Sequence, residues 1–468
     1  MSDGGWQRVH PLSPLLRMWA ALVGVAAVIV FQQAESLRWA WDRIEDSPLP
    51  GVVVIPAALV VLVVVFLLGW LLSWPWWRAT RWRVGEEEIS VRRGVLSTQL
   101  RTARFDRVQA VDLVEPLAPR LFRLAGVKVE TAGGADSAVS VEYLPRVQAE
   151  ELRDALLGRV RRRNEVASTG MTQPEVLQGS VVVPEIPVTR SIVAAALTGP
   201  TAVTVMIVLV SVFTPAGLAL LLPAVAGLGP WIWGLLNRSW RFTATSDGHL
   251  LGITFGFSER RRQTVPLDRI HAVQISQPLL WRMLGWWKVD VDIAGYGEPG
   301  KDGATTAVLP VGSLEQALAL VTLLGPLDHG QVGTLMRPDG VPTTADSTGG
   351  VRVFRSPASA RWVSPLDRTR QGVVLVSRDI DADGGTTDTA LVCHRGRLRR
   401  SVSVIDPAHV QELSHRRGPL RRMLGLSTVR FDLVPGPVKM VGRDLPAEDA
   451  VELLTRLRQR ALPTGRSR

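Results

Sequence analysis

Two long stretches of this sequence contain no Asp, Glu, Lys or Arg, at residues 47–77 and 191–237. Each is longer than the roughly 20 apolar residues that cross a bilayer as a helix. The pattern excludes a purely soluble protein, and the charged, turn-rich remainder disfavours a wholly embedded transporter. With a shorter apolar segment at about 15–31, the sequence predicts four membrane spans, at about 15–31, 52–72, 191–213 and 216–236. They pair as two helical transmembrane hairpins, with Pro215 and Gly217 in the turn of the second.

Arginine placement predicts how these hairpins are oriented. Arg8 and Arg17 precede the first hairpin, and Arg78, Arg81 and Arg83 follow it. The loop between the first two spans carries more acidic than basic side chains. Because cytoplasmic loops carry an excess of Lys and Arg, both termini and all large soluble parts are expected in the cytoplasm. The net charge of +11 suits work beside an anionic membrane surface.

The soluble parts contain a threefold repeat. In each copy a turn containing Asp is followed by a short basic helix that ends in Gly, and then by a strand in which apolar and polar residues alternate. The recurring positions are Asp106, Arg107 and Gly126 in the first copy, Asp268, Arg269 and Gly285 in the second, and Asp406 and Gly425 in the third. Pro407 replaces the turn Arg in the third copy, so a shared role for that Arg is not expected there.

An amphipathic helix is predicted at the end of each copy, at residues 148–157, 313–324 and 447–457. Two-residue alternation before it predicts half-buried strands. A helix that covers one end of a small β-barrel buries its apolar interior. The glycines that end the short helices are expected to have a left-handed backbone, because residues with a Cβ resist it.

These motifs, in the order hairpin, domain, hairpin, domain, domain, resemble the bacterial pleckstrin-homology-like (PH-like) membrane proteins of the YdbS/YdbT type. The resemblance covers most of the chain and rests on the recurrence rather than on any single motif. It implies a mixed membrane protein of the bacterial cytoplasmic membrane, with two α-helical transmembrane hairpins and three PH-like β-barrel domains, each capped by a C-terminal helix. It implies no catalytic activity and no settled ligand.

The sequence also predicts domain bounds. They are hairpin 1 at 15–77, PH-like domain 1 at 78–160, a linker at 161–188, hairpin 2 at 189–237, PH-like domain 2 at 238–325, a linker at 326–364, PH-like domain 3 at 365–460 and a disordered tail at 461–468. The linkers are recognised by their polar, Pro-containing composition.

No catalytic, metal or cofactor site is predicted. The Asp–Arg pairs lack an accompanying base, nucleophile or metal partner, so they are interpreted as turn-forming residues. Residues 379–384 resemble the start of a calcium loop, but Ala390 stands where the bidentate Glu belongs. The single cysteine, Cys393, is interpreted as a small apolar side chain of a strand.

Basic clusters precede the repeat core in every copy. The candidate contact residues are Arg92, Arg93, Arg260, Arg261, Arg262, Arg397, Arg399 and Arg400. Either they bind anionic lipid headgroups or an acidic partner, or they form solvated strand faces. Nucleic acid is not an expected partner, because no aromatic stacking surface lies among them.

The sequence favours a non-enzymatic membrane protein whose PH-like domains act as a scaffold or binding module. The expected partners are the lipid bilayer, anionic lipids, and a protein such as a smaller PH-domain membrane protein. The alternative is an accessory component of an envelope transport or export system.

Overall fold

The structure is a computed structural model that describes residues 5–13, 16, 67, 70–71, 74–95, 97–131, 138–167, 180–214, 217–294, 305–342, 350–379, 386–434 and 436–459. The chain divides into two compact units, Met1–Thr172 and Gln173–Arg468. The first contains one copy of the repeat, here called repeat 1. The second contains repeats 2 and 3.

Repeat 1 contributes seven described strands and two helices. They are β1 (Gln7–Arg8), β2 (Arg81–Val84), β3 (Glu88–Arg93), β4 (Gln99–Arg104), β5 (Val108–Pro116), α1 (Leu117–Leu121), β6 (Leu124–Thr131), β7 (Val139–Pro145) and α2 (Arg146–Ala167). Strands β1–β2–β3–β4 form one antiparallel sheet, while β6 lies between β5 and β7. The 3₁₀ turn Phe105–Arg107 joins the two sets of strands.

The core of repeat 1 lies between its strands and α2. Alternation along β3 directs Ile89 and Val91 inward, where they join the fully buried Trp82 of β2. Leu152 and Leu156 of α2 are buried in the same cluster because residues four apart share one helix face. The closing helix therefore completes the core, as small two-layer domains require.

Repeat 2 has the same order of strands, with three helices inserted after the first. Its elements are β8 (Ser180–Val183), α3 (Val188–Ala196), α4 (Gly199–Val212), α5 (Gly217–Ser239), β9 (Thr243–Ser246), β10 (Leu250–Phe255), β11 (Glu259–Pro266), β12 (Ile270–Gln277), β13 (Trp287–Ile293), β14 (Ala307–Gly312) and α6 (Leu314–Leu324). The 3₁₀ turn Leu267–Arg269 corresponds to Phe105–Arg107, and the 3₁₀ helix Leu280–Leu284 corresponds to α1.

The short helix α7 (His329–Leu335) leads into repeat 3. That repeat comprises β15 (Val351–Arg355), β16 (Gly372–Asp379), β17 (Thr386–Arg395), β18 (Arg400–Ile405), β19 (Glu412–Arg416), α8 (Pro419–Met423), β20 (Leu426–Asp432), β21 (Met440–Pro446) and α9 (Ala447–Arg458). Two 3₁₀ turns, Ala358–Trp362 and Arg368–Arg370, stand between its first two strands where repeat 2 has helices.

Repeats 2 and 3 share a continuous sheet. Strand β12 pairs antiparallel with β18, from Ala272 opposite Ile405 to Gln277 opposite Arg400. The resulting order is β14–β13–β12–β18–β17–β16–β15, and a separate sheet holds β19–β20–β21. The three β-barrels predicted from the sequence are therefore corrected to sets of open sheets, because a strand of one repeat hydrogen-bonds to a strand of the next.

The prediction of two transmembrane hairpins is also wrong. Within the described ranges, no single helix is both long and apolar enough to cross a membrane, and Val188–Ala196 with Gly199–Ser211 meets that test only as a pair bent by 67°. The bend falls at Leu197 and Thr198, which separate the two helices, and Gly199 and Pro200 begin the second of them. Most of the first predicted hairpin lies outside the described residues.

Both ranges predicted as linkers contain the first strand of a repeat. Strand β8 pairs with β9, and β15 pairs with β16. Likewise β1, near the start of the chain, pairs with β2. The first strand of each repeat thus precedes a long insertion, and the repeat resumes after it. The predicted disordered tail lies outside the described residues.

Candidate functional site

A glycine begins the hairpin tip before the fourth strand of every repeat. Gly94, Gly256 and Gly396 have φ values of 112°, 115° and 80°. A Cβ at these positions would lie 1.9, 1.9 and 2.1 Å from a backbone carbonyl oxygen of the same turn. Only glycine fits this geometry, so the tip is a recurring element that the sequence analysis missed, although its constant distance from the 3₁₀ turn could have identified it.

In repeat 2 this tip is fixed to the end of α5. The side-chain oxygen of Asn237 accepts hydrogen bonds from the amides of Phe257 and Ser258, at 2.8 and 2.9 Å. The ring of Phe257 packs against Trp240 and Trp233, with centroids 4.7 and 5.9 Å away. These contacts fix the end of α5 against the hairpin of β10 and β11.

Two further hydrogen bonds fix α3 to the same region. Ser191 Oγ donates to the carbonyl of Ser239 at 2.8 Å, which brings the start of α3 to the end of α5. Trp281 Nε1 donates to the carbonyl of Ala194 at 3.0 Å. Arg190 and Arg238, near these two helix ends, therefore lie at the same end of the helical group.

A cavity of about 70 Å³ lies between these helices and the sheet of repeat 2. Arg238 and Lys288 contribute positive charge to its wall, and Asp290 contributes a buried carboxylate that pairs with Lys288 at 2.8 Å. Asp290 offsets the charge of Lys288, so Arg238 supplies the remaining positive charge of the cavity wall.

Helix α4 presents apolar side chains to its surroundings. Val203, Val205, Met206, Leu209 and Val210 are between 48% and 66% exposed. Scattered apolar residues are ordinary on a protein surface, whereas a contiguous exposed apolar patch marks an interaction site. The surface of α4 is such a patch. In the chain α4 lies between α3 and α5, the two helices that the contacts above fix to repeat 2.

The structure separates the predicted contact arginines rather than grouping them. In repeat 1, Arg92 is exposed, but Arg93 is half-buried and donates to the Ser140 carbonyl at 2.5 Å. In repeat 2, Arg260 is exposed, Arg261 is buried at 3% exposure beside Glu259, and Arg262 is half-buried. Strand alternation explains this separation, because successive side chains point to opposite faces.

The arginines of repeat 3 lie at its hairpin tip. Arg397 and Arg399 are exposed, while Arg400 approaches Asp339 at 3.7 Å. The Arg282 guanidinium donates to the tip carbonyls of Arg397 and Leu398. Partial burial and the nearby guanidinium groups of Arg400, Arg370 and Arg397 lower the pKa of Arg282. The tip of repeat 3 is therefore a dense cationic cluster.

The residues of the predicted repeat core do not occupy equivalent positions in all three repeats. Asp106 and Arg107, like Asp268 and Arg269, lie in the 3₁₀ turns. Asp406 instead precedes its turn, where its carboxylate accepts a 2.8 Å hydrogen bond from the Ala408 amide. Arg104 pairs with Asp106 at 3.1 Å in an exposed contact.

The three glycines predicted to end the short helices also differ in backbone conformation. Gly285 and Gly425 have φ values of 64° and 70°, but Gly126 is not among the positive-φ residues. Gly126 lies inside β6 opposite Val114, as Lys288 lies opposite Ser276 in β13. In repeat 1 the left-handed position is Arg123, with φ of 55°.

Buried polar side chains hold repeats 2 and 3 together. Ser403 Oγ donates to Gln274 Oε1 at 3.1 Å, and Asp292 accepts a 2.9 Å hydrogen bond from the Val438 amide. The imidazole rings of His271 and His409 stack with centroids 4.3 Å apart. Burial and the neighbouring His409 lower the pKa of His271.

Across the ranges that the structure describes, no group of three or more His, Cys, Asp or Glu side chains is placed to hold a metal ion. Cys393 is fully enclosed by the core of repeat 3, and burial raises the pKa of its thiol to about 12. A thiol that stays protonated is a poor nucleophile and a poor metal ligand.

Comparison with known proteins identifies the repeats. The family model described as "Bacterial PH domain" matches residues 21–160, 191–327 and 385–461, which together exceed half of the chain. The transmembrane protein YdbT of Bacillus subtilis (strain 168) is 26% identical over 270 residues, covering 50% of this chain and 54% of that relative. The match thus spans about half of the relative's length. No solved structure matches the chain significantly. With seven described strands and a closing helix in each of its three repeats, the chain belongs to the bacterial PH domain family.

Proposed function

We propose that this chain is a non-enzymatic, membrane-associated scaffold whose second repeat contacts the bilayer through the exposed apolar side chains of α4. The observation that carries the proposal is the exposed apolar patch from Val203 to Val210. Helix α4 lies in the chain between α3 and α5, the helices that Trp281 and Asn237 fix to the sheet of repeat 2. Transfer of such side chains from water to lipid is favourable by roughly 25 cal/mol per Å² of apolar surface.

The surroundings of the helical group support this proposal. Trp231 and Trp233 are about half exposed on α5, and Arg260 is exposed beside the Phe257 tip. Aromatic rings and arginines favour the headgroup region of a membrane, where their polar parts remain hydrated. The chain's relative from Bacillus subtilis carries the word "transmembrane" in its name, which agrees with a membrane setting.

Of the predicted contact arginines, only the exposed ones contact lipid headgroups in this arrangement. In repeat 1 this is Arg92, in repeat 2 it is Arg260, and in repeat 3 these are Arg397 and Arg399. The anionic lipids of the cytoplasmic leaflet attract such side chains, each by about 1 kcal/mol near the surface. Arg261 has a structural role in this scheme, because it is buried beside Glu259.

Lipid-chain quenching tests the proposal directly. The full chain carries Met206→Cys and Cys393→Ala, is labelled at residue 206 with an environment-sensitive fluorophore, and is reconstituted into anionic vesicles with or without brominated acyl chains. Bromine quenches only fluorophores that reach the hydrocarbon region. We expect quenching at residue 206.

The matched control places the cysteine at Val451, which is 57% exposed on the closing helix of repeat 3. We expect no quenching there. Equal fluorescence at residue 206 in brominated and ordinary vesicles would overturn the proposed bilayer contact, while quenching at both positions would show that the signal is unspecific.

A further inference from the structure

Repeats 2 and 3 are joined by the pairing of one strand from each. The fifth strand of repeat 2, β12, pairs with the fourth strand of repeat 3, β18. Gln274 lies directly opposite Ser403, and their side chains hydrogen-bond across the joint at 3.1 Å. The pairing buries all of β18 from Ser401 to Ile405. One repeat therefore uses its fifth strand to accept the fourth strand of another.

Repeat 3 has the corresponding strand, β19, which pairs with β20 on one side and, within the described residues, with no strand on the other. Strand β19 follows the turn Pro407–His409 as β12 follows Leu267–Arg269, and it is the outer strand of the sheet β19–β20–β21. Glu412, His415 and Arg416 are exposed along it. An edge strand presents unpaired amide and carbonyl groups that can pair with another chain.

Repeat 1 has the matching donor strand. Strand β4 precedes the turn Phe105–Arg107 as β18 precedes Pro407–His409, and it is the outer strand of the described sheet β1–β2–β3–β4. Its residues Gln99 to Thr102 are all exposed, and Leu100 is 58% exposed. The strand that is buried in repeat 3 is thus largely uncovered in repeat 1.

We propose that β19 of one chain pairs antiparallel with β4 of a second copy of this chain, in the geometry of the β12–β18 joint. Ser414 is the fifth residue after its turn, as Gln274 is. Arg101 is the fourth residue before its turn, as Ser403 is. The joint therefore sets Ser414 opposite Arg101, and this register places Glu412 opposite Ala103 and Leu413 opposite Thr102.

This register places Arg101 of the second copy diagonal to Glu412 on one side and to Arg416 on the other. Glu412 lies directly opposite Asp432 in the β19–β20 pair, and Ser414 Oγ donates to an Asp432 carboxylate oxygen at 3.1 Å. Arg101 of the second copy shares the face of Glu412 in diagonal contact, a distance that long side chains span. The pairing would also cover Leu100 with His415.

This pairing would give the proposed scaffold a way to assemble from several copies. It rests on the proposed function only in placing the chain at a membrane. Each copy offers one β19 edge and one β4 edge, so the contact is heterologous. Such contacts close into rings or continue as open assemblies. Main-chain hydrogen bonds supply the affinity of strand addition, and side chains fix the partner and the register.

Disulfide crosslinking tests the register. Two copies with different epitope tags are expressed together as full chains, one with Arg101→Cys and the other with Ser414→Cys, and their membranes are oxidised. Directly opposed residues of an antiparallel pair have Cα atoms about 4.5 to 5.5 Å apart, which suits a disulfide. We expect a mixed-tag dimer.

Two controls use the same strands. Leu413→Cys with Arg101→Cys places the thiols on opposite sheet faces, so no mixed-tag dimer is expected. Ser414→Cys with Arg430→Cys in one chain joins directly opposed residues of β19 and β20 and should close within the chain. Absence of the 101–414 dimer while this internal disulfide forms would overturn the pairing, as would equal dimer formation with the 413 variant.

A charge exchange gives an independent readout. Arg101→Glu together with Arg416→Glu sets like charges on both diagonals, beside Glu412 and beside residue 416, and we expect co-purification of the two tagged copies to fall by roughly tenfold. Arg101→Glu combined with Glu412→Arg in every copy should restore it. Failure of both effects, with lipid quenching at residue 206 intact, would overturn the pairing alone. Absent quenching would overturn the proposed function and leave the crosslink to decide the pairing.

Discussion

The backbone amide of Val438 donates a 2.9 Å hydrogen bond to a carboxylate oxygen of Asp292 across the joint between repeats 2 and 3. Asp292 is completely buried, and its second carboxylate oxygen has no hydrogen-bond partner within the described residues. A Cβ on Gly436 would lie 2.0 Å from the first oxygen, so the loop from repeat 3 approaches this carboxyl group more closely than other residues allow.

This environment predicts a pH-dependent joint. Burial, reinforced by the nearby Asp290, raises the pKa of Asp292 to about 7 despite the amide hydrogen bond. The native carboxyl group holds its proton where the unfolded one has lost it, so the contribution of Asp292 to the unfolding free energy should fall between about pH 4 and pH 7, by roughly 4 kcal/mol. Asp292→Asn should remove this slope and be the more stable form at pH 8.

Urea unfolding of the purified chain at pH 5 and pH 8 measures the effect. Asp268→Asn is the control, because the Asp268 side chain is 78% exposed. The control should retain the slope of the unmodified chain. A slope of equal size in Asp292→Asn would assign the pH dependence to another group.

A second buried carboxylate predicts the opposite pH dependence. Asp444 accepts hydrogen bonds from Ser364 Oγ and Arg421 Nε, both at 2.6 Å, and from Gln371 Nε2 at 3.3 Å. Burial alone would raise the pKa of Asp444, but the hydrogen bonds from Ser364 and Arg421 outweigh burial and lower it. Its stabilising contribution is therefore present at neutral pH and is lost as the pH falls through its native pKa.

Asp444→Asn should cost about 2 to 3 kcal/mol at pH 7, because the amide leaves donors in this cluster unpaired. The backbone itself tolerates the change, since φ is 51° and Asn adopts the left-handed region readily. Hydrogen exchange of β20 and β21 at neutral and acidic pH measures the loss. A cost that persists unchanged in acid would exclude the charge as its origin.

Periodicity in the sequence locates the parts of each repeat whose partners are close along the chain. The predicted closing helix at 447–457 corresponds to Ala447–Arg458, and the alternating residues 428–433 fall largely in β20. Their pattern reflects burial on one side, which local sequence records. Strands such as β8 are too short for a clear alternation, and their partners lie beyond long insertions.

The remaining differences arise from tertiary geometry. Hydropathy identifies residues 191–237 as apolar but does not register the 67° bend between α3 and α4. Motif spacing equates Gly126 with Gly285, whereas strand pairing equates Gly126 with Lys288. The partners of Asp292 and Asp444 come from distant segments, so no local pattern predicts them.

Replacing Arg123 with glycine is expected to stabilise repeat 1. It is exposed and has φ of 55°, and its carbonyl accepts a 2.9 Å hydrogen bond from the Arg146 amide, as the Gly425 carbonyl does from Ala447. A left-handed backbone costs a residue with a Cβ roughly 1 to 2 kcal/mol, of which the greater flexibility of unfolded glycine cancels part. Arg123→Gly should therefore raise the stability of repeat 1 by about 0.5 to 1 kcal/mol.

The control for Arg123→Gly is Arg92→Gly, which removes an exposed arginine from the extended strand β3. Glycine weakens a strand interior, so this change should lower stability by about 0.5 to 1 kcal/mol. Hydrogen exchange of β6 and β3 in the full chain reports both effects. Destabilisation by Arg123→Gly would mean that its side chain, rather than its backbone, matters.

Substitution of the two positive-φ glycines Gly256 and Gly285 in repeat 2 should lower its stability by different amounts. At Gly285 a Cβ meets nothing within 4 Å, so Gly285→Ala carries only the backbone cost of about 1 kcal/mol. At Gly256 a Cβ would lie 1.9 Å from the Glu259 carbonyl oxygen. The turn would have to open, which should also weaken the hydrogen bonds from Phe257 and Ser258 to Asn237. Gly256→Ala should therefore cost more than about 3 kcal/mol. Urea unfolding ranks the two variants, and hydrogen exchange at the end of α5 should rise for Gly256→Ala alone. Equal losses in both variants would show that the backbone angle, rather than the collision, determines the cost at the tip.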